Sequence, residues 1–208
     1  MTETKRRSDR LTTYVASAPL TSAIVFLAAL ALVGGLLGYF SADHDQLARQ
    51  FRDPRAAFEW FGSGATAIGA VLATFRMHAR GRTPLWRAGP LLIFAAWQLV
   101  TIYLARDIPI DKPAEQILHG NSPESFLFIL AISIPVSSAL FWVLRQHRVP
   151  LGSSVAAMAG LSAAAASIWL MQFFHAFEMN IGDWSIHFAA IGIVVGSAAY
   201  ARHILRSD

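Results

Sequence analysis

Six stretches of the chain are apolar for long enough, and poor enough in charge, to cross a hydrocarbon layer about 30 Å thick as helices of about 20 residues. They fall near residues 18–40, 57–77, 88–105, 125–144, 152–174 and 185–203. A chain of 208 residues that is 55% hydrophobic and 14% charged carries more apolar surface than one water-soluble core buries. The expected fold is therefore an all-α membrane protein with six transmembrane helices: a tail at 1–17, a six-helix domain at 18–203 and a stub at 204–208. The second stretch is the weakest of the six, because Glu59 falls in its expected first turn, but Trp60 to Phe75 is free of charge. Lys5, Arg6, Arg7 and Arg10 precede the first stretch, as they would a cleavable signal. Its apolar run is too long for one, and bulky Phe40 spoils the only small-residue cleavage site, so it reads as an uncleaved anchor.

Orientation follows from the cations. Six spans place the N-terminus, the second loop (Arg76, Arg80, Arg82, Arg87), the fourth loop (Arg145, Arg148) and the C-terminus (Arg202, Arg206) on one side. Twelve of the 17 Lys and Arg residues lie there, with only Glu3, Asp9 and Asp208 of the 13 acids. By the positive-inside rule both termini are expected in the cytoplasm. The pI near 10.0 then reflects topology and contact with anionic lipid more than nucleic-acid binding. There is no cysteine, which excludes disulfides and thiol chemistry.

Helices in lipid associate by close packing, since lipid supplies no hydrophobic drive between them. Small residues recur at four-residue spacing in Ala65, Gly69 and Ala73, in Ala156, Gly160 and Ala164, and in Gly192 and Gly196. Each set is expected to be a contact face. Pro135 is expected to kink the fourth span and free a carbonyl, with Ser133, Ser137 or Ser138 as its partner. Pro19-Leu20, Pro84-Leu85 and Pro150-Leu151 each follow basic residues and are expected to open an outward-going span, since proline suits a first helical turn.

The deep polar groups read as neutral: Thr66, Gln98, Thr101, Ser133, Ser138 and Ser162, with Gln98 expected to bond a neighbouring helix. A transporter normally keeps ionisable groups at mid-depth for its cargo. None is evident, so a small channel or transporter ranks last among the functions considered. No nucleophile elbow, phosphate-binding glycine loop or His-Glu-x-x-His helix is present, and neither an enzyme nor a cofactor is implied.

One stretch, LMQFFHAFEMNIGDWSIHF (residues 170 to 188), breaks the apolar chain with two histidines and two acids. His175 and Glu178 share a face if the fifth span runs that far, and His187 is expected to open the sixth span beside them. These three could hold zinc with one position open, giving a metal-binding membrane enzyme or sensor. The simpler reading is two helix ends meeting water, with Trp184 and His187 anchoring the interface.

Three segments together resemble a family. LARQFRDPRAAFEW (Leu47 to Trp60) is similar to its first outer loop, with Asp53-Pro54 before a phenylalanine. LRQHRVPL (Leu144 to Leu151) is similar to a segment in which basic residues lead into Pro-Leu. In AAMAGLSAAAASIWLMQFFHAFEMNIGDWSIHFAAI (Ala156 to Ile191), an Ala-rich helix is followed by His175-x-Phe177, then Trp184 and His187 at the last span. The order resembles the bacterial six-helix membrane proteins typified by the negative regulator of sigma F, anti-sigma factors that restrain an extracytoplasmic-function sigma factor.

The resemblance implies an anti-sigma factor of the bacterial inner membrane with a sigma factor as its protein partner. Docking is expected at Arg6, Arg7, Arg10, Arg76, Arg80, Arg82, Trp86, Arg87, Arg145 and Arg148. Asp53, Pro54, His175, Phe177, Trp184 and His187 are the candidates for a sensing or structural role on the outer side. Two departures stand out: LTTYVASAPL (Leu11 to Leu20) keeps only the Pro-Leu of the family's opening segment, and the usual extracytoplasmic cysteines are missing. A thiol switch cannot be the trigger.

Overall fold

The computed structural model describes the chain except for residues 1–2, 42–43, 78–83, 107–121, 148, 175–180 and 205–208; for 3–19, 41, 46, 49, 50, 122, 123 and 202–204 it describes the backbone alone. Its helices are α1 (Glu3–Ser41), α2 (His44–Arg52), α3 (Pro54–Arg76), α4 (Leu85–Ala105), α5 (Ser122–Gln146), α6 (Ser153–Met171) and α7 (Ile181–Ile204). No strand occurs among the described residues. All but α2 contain a segment long and apolar enough to cross a membrane, as the six apolar runs predict.

The α6 helix is the centre of the bundle. It is apolar all round, so no single face chooses a partner, and a helix of that kind is buried on every side. Ala156, Ala159, Gly160, Ala163, Ala164, Ala165 and Ala166 keep it slim, and α3, α5 and α7 pack directly around it. At Gly160 the approach to α7 is closest: a Cβ there would stand 2.8 Å from Ala198 Cβ, 2.9 Å from Val195 Cα and 3.1 Å from the Val194 carbonyl. Two of those three atoms are backbone, so the fit depends on the missing side chain.

Around this centre, α4 packs on α3 and touches α7, while α1 packs on α3 at the edge. Aromatic rings seat that edge helix. Trp169 of α6 covers Gly34, and Phe173 lies 2.9 Å from where a Gly38 Cβ would be. Trp60 completes the aromatic cluster at 5.3 Å from Trp169 and 6.3 Å from Phe173.

Several expectations are corrected. Gly192 and Gly196 face open space, and Ala65 is exposed, so these small residues are not contacts within the chain. The heart of α6 had already taken α7's other side. Pro19 lies inside the continuous α1 and does not open a helix; Pro84 does stand at the N-cap of α4. Pro135 sits in an unbroken α5, where Ser137 Oγ donates to the Ser133 carbonyl at 2.6 Å and not to the one proline frees. Ser133 Oγ instead meets Ser167 Oγ of α6 at 3.0 Å, a side-chain bond across the helix interface. The loop expected at 41–56 contains α2, whose Leu47 and Phe51 lie on one face; Phe51 stacks edge-on with Trp60 at 5.3 Å.

Candidate functional site

Successive spans alternate in direction, which sorts their ends into two groups. At one end α3 stops at Arg76, whose guanidinium lies over the Trp86 ring of α4 at 5.6 Å. A cation over an indole face is attracted by the ring quadrupole, so this pair closes the mouth of the α3–α4 hairpin. At the same end Ser22 Oγ and His147 Nε2 are 2.5 Å apart and tie α1 to the end of α5. Arg87 and Arg145 are exposed there. Of the other cations assigned to docking, Arg80, Arg82 and Arg148 lie outside the described residues, and Arg6, Arg7 and Arg10 belong to α1 by backbone alone. The structure thus brings Arg76 and Trp86 together and leaves Arg87 and Arg145 open to a partner.

Ser22 against His147 is also a hydroxyl facing an imidazole, the beginning of a nucleophile and base. A triad needs a third group to orient the base. Every acid whose side chain is described (Asp45, Asp53, Glu59, Glu124 and Asp183) belongs to the other end. Among the described residues no acid orients the imidazole, and the pair ties α1 to α5.

The opposite end starts with a cap. Asp53 is extended (φ −83°, ψ 115°), as the residue before a proline prefers, and its Oδ1 accepts the Arg55 backbone N–H at 2.9 Å. Pro54 fills the first helical position, where an N–H would have no partner. The Asp-Pro pair that carries part of the family resemblance is therefore a helix start. Because α3 begins at Pro54, Glu59 lies in its second turn and points into the bundle, 2% exposed.

Glu59 corrects the reading that deep polar groups are all neutral. Its Oε2 accepts from Trp97 Nε1 at 2.5 Å and from Thr101 Oγ1 at 2.6 Å, both donors on α4. One turn on, Gly62 leaves room for the Trp97 ring: a Cβ there would stand 2.6 Å from Trp97 Cδ1. The network extends beyond this pair of helices. Ser63 donates to the Glu59 carbonyl at 2.8 Å and receives Gln172 Nε2 of the segment after α6 at 3.3 Å. Gln98, next to Trp97, accepts from Trp184 Nε1 of α7 at 3.0 Å, as expected of a buried glutamine between helices. Glu59 and Ser63 of α3 thus bond to α4 and to the turn after α6, and a separate bond beside them ties α4 to α7.

Trp184 is consequently half-buried and turned inward, where an interface anchor was expected. His187 is buried two turns inside α7, which starts at Ile181 and not at the histidine. His175, Phe177 and Glu178 lie outside the described residues, so the three-ligand reading is untouched by the geometry; among the described residues no three His, Cys, Asp or Glu side chains gather. The segment Asp107 to Glu124 is likewise described only from Ser122. Glu59 had one sequence signal: Trp97 and Thr101 are four apart, hence on one helix face, and two donors on an apolar helix call for an acceptor opposite.

Six span-length helices, with the Arg76–Trp86 pair at one end and a buried carboxyl accepting from α4 at the other, define an all-helical bundle compatible with a multi-pass membrane protein, with no catalytic constellation among its described residues. The chain belongs to the negative regulator of sigma F family, whose model matches residues 6–206. Membership carries negative regulation of a sigma factor. No curated protein and no solved structure matches the chain.

Proposed function

We propose that the protein is an inner-membrane anti-sigma factor that holds an extracytoplasmic-function sigma factor at its cytoplasmic face and releases it on an envelope signal. Family membership over residues 6–206 is the observation that carries this reading. In it, residues 1–17 and 204–208 are cytoplasmic and 18–203 form the transmembrane domain. The outward faces support insertion: Leu32, Leu92, Leu99, Leu127 and Ile134 are each more than 60% exposed, a surface that water would not tolerate but lipid does. Tyr39 and Tyr103 near one end and Trp142 and Tyr200 near the other, all largely exposed, are placed as interfacial aromatics are.

The docking surface is the basic end. Exposed arginines pair with carboxylates through two parallel N–H bonds, and an adjacent indole adds buried apolar area, which suits the acidic surface of a soluble partner. Arg80 and Arg82 join α3 to α4, so the same hairpin that carries the docking loop is pinned at its far end by Glu59. A stimulus that loosens the Glu59 network alters how α4 lies on α3 and so moves the loop. To switch the output usefully it must favour one arrangement by a few kcal/mol.

The test is co-purification. Tagged protein extracted in mild detergent from its host is expected to bring down a sigma factor, and Arg80→Glu/Arg82→Glu is expected to lose it while still inserting. A eluate free of sigma factor from the unmodified protein under stabilising detergent would reject the proposal.

A further inference from the structure

The bundle has a second feature, which shares only Arg145 with the docking end. A groove of about 670 Å³ runs between α5 and α7 on the outer surface, from Leu130 down to Arg145 at the basic end. Its walls are mostly apolar, with Phe141 and Trp142 from α5 and Ile193 and Val194 from α7. Serine hydroxyls line it along its length (Ser133, Ser137, Ser138 and Ser197), and its one charged residue, Arg145, stands at the lip of the basic end. At 1.5 Å per residue the 15 steps from Leu130 to Arg145 span about 22 Å, longer than the roughly 15 Å depth of one leaflet's hydrocarbon.

A mostly apolar trough of that length, ending in a guanidinium, matches a molecule with a long hydrocarbon chain and an anionic head. We propose that this groove binds one anionic phospholipid of the leaflet at the basic end, its acyl chain against Phe141 and Ile193 and its phosphate on Arg145. Charge selects this occupant over a second copy of the chain. A two-fold contact through the same face would set the two Arg145 side chains toward each other, and every described acid lies at the far end of the molecule. A phosphate neutralises the cation where another copy would double it. The groove also lies beside the α6 contacts of α7, since Ala198 both lines it and meets Gly160. A bound lipid would therefore steady the α6–α7 packing from outside.

This inference rests on the protein being inserted in a membrane, which carbonate-resistant sedimentation with the membrane fraction measures separately. The binding test is native mass spectrometry of the full chain released from nanodiscs containing equal phosphatidylglycerol and phosphatidylcholine of the same acyl chains. The expected result is one phosphatidylglycerol retained per chain. Arg145→Gln is expected to lower the preference for phosphatidylglycerol about fivefold, the effect of one cation near an anionic surface. Ser197→Phe, which fills the groove, is expected to release lipid of either headgroup; if it fails to fold, Arg145→Gln decides alone, being exposed and outside the core. Equal retention of the two lipids by native protein and variants would show only bulk lipid contact and overturn the proposal. So would a native dimer that Ser197→Phe converts to monomer.

Discussion

At the scale of the residue, Glu59 has the clearest energetic consequence. Its carboxyl is the shared acceptor of two buried donors, Trp97 Nε1 and Thr101 Oγ1. Removing the acceptor leaves both donors unpaired, at about 1–3 kcal/mol for each. Glu59→Leu is therefore expected to lower unfolding stability in detergent micelles by about 2 kcal/mol or more, measured by chemical denaturation. Glu59→Gln keeps an oxygen where both bonds converge and is expected to lose less than half as much. Equal stability of Glu59→Leu and the native protein would mean that α4 does not depend on the acid. This residue was misread from sequence for a local reason: an acid five residues after Pro54 looks like a boundary residue, and only the α4 face opposite shows it to be enclosed.

At the scale of the element, α6 and its fit to α7 decide whether the bundle closes. Gly160 meets backbone atoms of Val194 and Val195, which cannot move aside as a side-chain tip can. Overpacking of this kind costs about 1–3 kcal/mol. Gly160→Leu is expected to lower the melting temperature clearly and to weaken retention of α7, whereas Gly192→Leu, which faces open space, is expected to leave it nearly unchanged. A thermal-shift assay on the two purified variants checks the contrast, and equal shifts would refute the assignment of faces. The four-residue spacing of small residues was legible in both helices. Which one is a contact was not, because spacing marks a face that permits close approach and says nothing about what stands opposite. Gln98 was read correctly for the converse reason: a buried amide must find partners wherever it lies.

At the scale of the whole molecule, the sorting of charge predicts a topology that can be measured cleanly, because the chain has no cysteine. Single cysteines introduced at Arg80 and Trp86 are expected to resist a membrane-impermeant maleimide added to intact cells, and one at Asp45 is expected to react. Outward labelling of residues 80 and 86 would overturn both the orientation and the docking surface. The number of span-length helices, their approximate limits and the gathering of arginines at alternate turns were decided by the sequence alone. Length, hydropathy and charge sign are properties of consecutive residues, and a bilayer-sized helix needs nothing else to declare itself. Tertiary structure alone decided that Glu59 is enclosed, that Gly160 and not Gly192 is the tight contact, and that Arg145 closes a groove. Each of those depends on which helix lies opposite, and the energy of a buried carboxyl, a missing side chain or a cation at a lip is set by that neighbour.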